Sequence, residues 1–120
     1  MSVVKCLVAA GAVVLFSVAS VRAAPVGSIR GRMKQEGCFT CHAVDHRKVG
    51  PAFAWIAYRY RDSQGAIERL AERVIKGGTG YWAPWTYGTP MPAHPRLGLG
   101  QAEAMARWVM VQPPAKPPPP

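Results

Sequence analysis

Cys38, Cys41 and the directly following His42 stand in the stretch GCFTCHAVDHRKVGP, residues 37–51. Thiols at i and i+3 face the same side of one helical turn, so both sulfurs can reach a single object. Three chemistries use such a pair: a redox dithiol, a tetrahedral zinc site, and the thioether anchoring of a haem. A dithiol of thioredoxin type expects a βαβ setting and gives the adjacent histidine no task. Zinc closes a structural site with four ligands. Beyond the motif the candidates are His46 and His94, with no second cysteine pair. Haem uses all three side chains. Two thiols add across its two vinyl groups, and the next residue supplies an axial imidazole; C-x-x-C-H is the sequence sign of that attachment. The expectation is one covalently attached haem c, with thioethers from Cys38 and Cys41 and His42 as the proximal ligand of its iron.

The sixth position decides between electron transfer and ligand chemistry. A thioether opposite the imidazole raises the reduction potential and leaves no open site for oxygen or peroxide. Met33 and Met105 fall on apolar helix faces and read as core, and Met110 ends the last helical stretch. Met91 stands in TPMPAH between Pro90 and Pro92. Each proline fixes its own φ, and Pro92 also biases Met91 toward extended backbone. A stiff loop presenting one thioether suits a ligand, so Met91 is the expected distal ligand. His94 is the rival and would give a bis-histidine iron of lower potential. His46 is too close to His42 to reach the other face and reads as a surface residue.

These groups need a body to hold them, and the chain sets its bounds. It has 120 residues and a net charge of +9, enough for one small domain. MSVVK, the apolar run CLVAAGAVVLFSVAS and VRA have the layout of a secretory signal peptide cleaved after Ala23. The run is shorter than the roughly 20 residues of a spanning helix. Cleavage removes Lys5, Arg22 and Cys6, which leaves a net charge of +7 and a clean cysteine pair. Residues 24–111 then form the domain, and residues 112–120, QPPAKPPPP, form a proline-rich tail. The tail cannot be helical and reads as an extended polyproline segment, either a solvated spacer or a docking segment. A domain this small needs a staple to be stable, and a large apolar haem is one.

Three stretches carry helical signals, and no stretch shows sustained two-residue alternation. SIRGRMKQEG offers Ser28 as N-cap, Gly37 as stop, and Ile29 and Met33 on one face. DSQGAIERLAERVIKGG places Ile67, Leu70, Ala71 and Val74 on one face, with Asp62 or Ser63 as cap and Gly77 as stop. GQAEAMARWVMVQ aligns Ala102, Met105, Ala106 and Val109, with Trp108 beside them. PAFAWIAYRY is a possible fourth helix with Pro51 in its first turn. Residues 77–100, rich in Gly, Pro and aromatics, read as a loop with something to wrap. The fold class expected is all-α, three to four helices around one haem.

GCFTCH, KVGPAF, LAERVIKGGTGYW, PMP and AMARWVMVQ occur in an order that resembles class I c-type cytochromes. The likeness is closest to small bacterial monohaem carriers that serve periplasmic oxidases and nitrite reductases, and it covers about Ile29 to Val111. The resemblance implies that the Pro51 carbonyl accepts the His42 ring N–H, that Arg73 and Trp82 hydrogen-bond a haem propionate, and that the first and last helices cross near Trp108. One departure stands out: WAPWTYGTPM, with Trp85 and Tyr87, separates the tryptophan from the methionine by more residues than in such relatives. The function implied is a periplasmic electron carrier and not an enzyme. It would be a monomer meeting periplasmic redox proteins with acidic docking surfaces, without nucleic acid and without stable membrane insertion. The alternative is a dedicated haem subunit of a periplasmic dehydrogenase complex, oxidising sulfite or an alcohol.

Overall fold

The computed structural model describes residues 26–120, with side chains from Ile29 onward. The expected signal peptide lies outside the described residues. Among the described residues six helices follow one another: α1 (Val26–Gln35), α2 (Cys38–Cys41), α3 (Phe53–Tyr60), α4 (Ala66–Lys76), α5 (Ala83–Thr86) and α6 (Leu99–Met110), with a 3₁₀ turn at Gly80–Trp82. They contain no strand among the described residues, only isolated bridges pairing His42 with Arg47 and Gly78 with Met91. No described helix is long and apolar enough to cross a membrane.

The apolar periodicity places the faces correctly. On α6, Ala102, Met105, Ala106, Trp108 and Val109 are all buried. That face packs on α4, α3 and α1, and each large apolar side chain so buried contributes about 1.5–3 kcal/mol. Met33 of α1 and Phe53 and Ile56 of α3 complete the same core with Leu97. Small residues carry the closest approaches, and Ala52, Ala71 and Ala102 are fully buried.

The helix starts differ from expectation. α1 begins at Val26, so Ser28 lies inside it rather than capping it. α4 begins only at Ala66, after Gly65 in the left-handed region (φ 66°), with no side-chain cap, so neither Asp62 nor Ser63 serves. Ser63 instead donates its N–H to the Tyr60 carbonyl in the turn that ends α3. Pro51 lies ahead of α3, whose flanking cap residue is Ala52; its carbonyl has another partner, described below. Residues 77–100 are not pure loop. They hold the 3₁₀ turn and α5, and α6 already begins at Leu99. Gln101 Oε1 there accepts the Gly98 N–H at 3.4 Å, one side of a capping box.

The tail does not project away. The Ala115 N–H donates to the Ala54 carbonyl at 3.0 Å, and the Pro118 carbonyl accepts the Trp85 indole N–H at 2.8 Å.

Candidate cofactor site

α2 is a single turn, which puts the Cys38 and Cys41 side chains on one side of it. Both are free thiols, half-buried. Burial raises the pKa of the Cys38 thiol, with the Glu36 and Cys41 charges adding to the effect against a lowering backbone hydrogen bond. The helix ends as His42 takes extended backbone (φ −121°, ψ 145°), turning its ring away from the turn that holds the thiols.

The His42 ring is buried, stacks on Phe53 with centroids 5.1 Å apart and planes 17° apart, and holds Nδ1 at 2.7 Å from the Pro51 carbonyl oxygen. A proline carbonyl only accepts, so Nδ1 must carry the proton. Burial lowers the ring's pKa, against a smaller raising effect of the Pro51 bond. The imidazole is therefore neutral at neutral pH, and the Nε2 lone pair is free to bind a metal. Gly50 is required beside it: a Cβ there would lie 2.5 Å from His42 Cε1 and 2.9 Å from both ring nitrogens.

On the other side of the molecule, Met91 is fixed by its backbone. Its N–H donates to the Gly78 carbonyl and its carbonyl accepts the Gly78 N–H, both at 2.9 Å. Gly77 makes that approach possible. Its backbone (φ 71°, ψ −161°) is a conformation essentially reserved for glycine, and a Cβ would lie 2.5 Å from the Met91 carbonyl oxygen. Arg73 donates to the Gly77 carbonyl at 3.0 Å. Its guanidinium also lies against Gly78 and Gly80, where added Cβ atoms would sit 2.7 and 3.0 Å from it. Trp82 is half-buried and meets Tyr81 and Trp85 edge-on at 5.0 and 5.4 Å.

One predominantly apolar cavity joins all of these. Cys38, Cys41, His42, Pro51, Arg73, Trp82 and Met91 all line it, so the seven residues singled out in the sequence converge. His46 and His94 do not line it. His94 Nε2 lies 3.1 Å from the Glu36 carbonyl, and His46 pairs with Asp45 at the surface. Met33 and Met105 reach the cavity from the core side. Among the described residues no three His, Cys, Asp or Glu side chains gather as a metal-ion site, so nothing there assembles the four ligands of zinc. Two adjacent thiols, one imidazole with a free nitrogen and a mostly apolar cleft fit a covalently held, flat, apolar macrocycle with an iron at its centre.

Sequence reasoning missed three supports of this site. Gly50 and the stacked Phe53 hold the ring of His42, and the run KVGPAF was their signal. Arg47 ties the two sides together: its Nη1 donates to the Trp85 carbonyl at 2.8 Å, and its guanidinium lies 4.9 Å from the Tyr87 ring centre. Arginine against aromatic ring recurs around the molecule, with Arg59 on Tyr81 at 3.2 Å, Arg61 on Tyr58 at 3.9 Å and Arg30 on Phe39 at 5.1 Å.

Comparison with known proteins agrees with this geometry. The model of the family Cytochrome c matches residues 31–112. Cytochrome c-551 of Pseudomonas aeruginosa is 37% identical over 79 residues, covering 66% of this chain and 71% of that protein. Cytochrome c-552 of Hydrogenobacter thermophilus is 36% identical over 77 residues, covering 64% of this chain and 74% of that protein. Among solved structures, wild-type cytochrome c552 of Nitrosomonas europaea superposes with a TM-score of 0.63 at 31% identity, covering 69% of this chain and 98% of that one.

Proposed function

The chain belongs to the cytochrome c family, as a class I c-type cytochrome with one covalently bound haem c, and on that premise we propose that it is a periplasmic carrier of single electrons between redox partner proteins. The observation that carries this reading is the convergence of Cys38, Cys41, His42 and Met91 on one cavity, with the His42 tautomer fixed by the Pro51 carbonyl at 2.7 Å.

The haem iron supplies a one-electron Fe(II)/Fe(III) couple. The protein's work is to hold it without letting its surroundings rearrange. Cys38 and Cys41 anchor it through thioethers. His42 offers Nε2 as proximal ligand, and the Pro51 carbonyl orients the ring and strengthens its donor nitrogen. Met91 offers its thioether as distal ligand from a loop pinned at Gly78. With both axial positions held by the chain, no site stays open for an external ligand, and a Met/His pair raises the potential. Arg73 and Trp82 hold the propionates, where a fixed cation lowers the cost of burying negative charge.

The excess of basic over acidic residues supports partners with acidic docking surfaces, met in brief, salt-sensitive encounters. The leader sequence supports export to the periplasm. A carrier of this kind is not itself an enzyme. The longer 82–91 segment and the exposed Tyr87, 83% accessible, favour a second reading, a haem subunit of a periplasmic dehydrogenase. Co-purification with a large catalytic subunit from the source cell would decide for it.

The assignment of the distal ligand is tested by the weak far-red sulfur-to-iron charge-transfer band of the oxidised protein. The band is expected to vanish in Met91→Ala and to persist in Met105→Ala. Its survival in Met91→Ala would overturn the ligand. Carbon monoxide binding to the native ferrous protein at neutral pH would overturn the closed-site carrier.

A further inference from the structure

The 83–88 segment has little to stabilise it by itself. α5 is four residues long, too short for an isolated helix to persist. Tyr87, the one non-glycine residue described with positive φ, follows it at φ 51°, and Gly88 continues at φ 74°. Two contacts from distant parts of the chain hold this segment, and both fall on Trp85. Its carbonyl accepts from Arg47, and its indole N–H donates to Pro118 at 2.8 Å. The ring also packs beside the small cluster of Ala52, Ala54 and Trp55. That cluster receives the tail's other anchor, the Ala115 N–H on the Ala54 carbonyl.

We propose that residues 113–120 are an intramolecular strap, which closes over the Trp85 face and pins the inserted 83–88 segment to the body. The chemistry of the tail suits this. A polyproline run has no internal hydrogen bonds, so every carbonyl is free to accept, and its φ angles are set before docking. An aromatic N–H beside an apolar face is the kind of surface that takes such a run. The occupant is the chain's own tail, because α6 ends at Met110 and the few residues beyond it reach both anchors. Two neutral hydrogen bonds, each shifting an equilibrium by about tenfold at most, make a strap that opens and recloses rather than a lock. Opening frees both the inserted segment and the proline run at once.

Hydrogen–deuterium exchange on the haem-loaded protein tests the proposal, comparing the full chain with one ending at Gln112. Amides of residues 83–88 are expected to exchange about tenfold faster or more in the shortened chain, while α1 and α6 keep their rates. Trp85→Phe keeps a ring but loses the indole N–H, and an intermediate acceleration is expected in the full chain. Adding the peptide QPPAKPPPP at millimolar concentration should restore protection in the shortened chain. Unchanged exchange at 83–88 on shortening overturns the strap. So does loosening that spreads equally to α1 and α6, which would mark general weakening. Protection that rises with protein concentration overturns it too, by placing a second copy's tail on Trp85. The readout does not depend on Met91: failure of the distal-ligand assignment shows in the far-red band, failure of the strap in the exchange rates.

Discussion

The two walls of the cavity are built on opposite plans. The proximal wall is contiguous: thiols, imidazole, close-packed glycine and orienting carbonyl all fall within 38–51. Its ties are short in sequence, such as the nine-residue reach from His42 to Pro51. The distal wall is assembled from far pieces. Met91 is paired to Gly78, Trp85 to Arg47 thirty-eight positions earlier, and Trp85 again to Pro118 thirty-three positions later. A wall made of neighbouring residues has little chain entropy left to fix once its helix turn forms. A wall made of distant ones depends on the whole fold being in place. The distal side should therefore be the first to loosen and the easier to retune.

Substitutions that strike one wall at a time can break that contrast or sharpen it. The largest effect is expected from Gly77→Ala, which combines a glycine-only backbone with a clash against main-chain atoms that cannot swing aside. A loss of about 3 kcal/mol, or roughly 12 °C or more in Tm, should appear in thermal unfolding, with the far-red band fading before the fold melts. Gly50→Ala comes next, at about 2 kcal/mol. Its clash is with a side chain, but one held at Nδ1, so the mark should fall on the proximal side: a shifted reduction potential with the far-red band still present. If both glycine variants lose the band at the same temperature, the two walls are not independent. Arg47→Ala should cost about 1 kcal/mol, seen in denaturant titration, and should speed amide exchange at 83–88 but not at 38–42. Smallest is Lys48→Ala. Its exposed bond to the Phe39 carbonyl at 2.7 Å lies within one wall, and a change under about 0.5 kcal/mol is expected.

The same contrast explains what the sequence made legible. Cys38, Cys41, His42 and Pro51 could be read because their chemistry needs fixed spacings along the chain. Met91 could be read because two prolines flagged a stiff loop. The core faces of α4 and α6 followed from periodicity, and Ala71, Ala102, Met105 and Val109 are buried as expected. The partners of Trp85 could not be read. Nothing local to Arg47 or Pro118 marks either as its neighbour, and only the packed fold brings them together. Helix starts failed for a related reason. Ser28, Asp62 and Ser63 are good caps by type, but the turn before α4 is closed by Gly65 in a left-handed conformation and by a backbone bond from Ser63. The one-turn α5 escaped because four residues give no period to detect.

The arginines laid on aromatic rings have a consequence for how the molecule moves in solution. A guanidinium on a free side chain sweeps out a diffuse cloud of charge. One resting on Tyr81, Tyr87, Tyr58 or Phe39 stays where the ring is. The positive charge of this protein is thus partly a rigid pattern, with a direction as well as a magnitude. In the field of an oppositely charged body such a pattern feels a torque, and the molecule rotates toward one preferred heading while it is still diffusing.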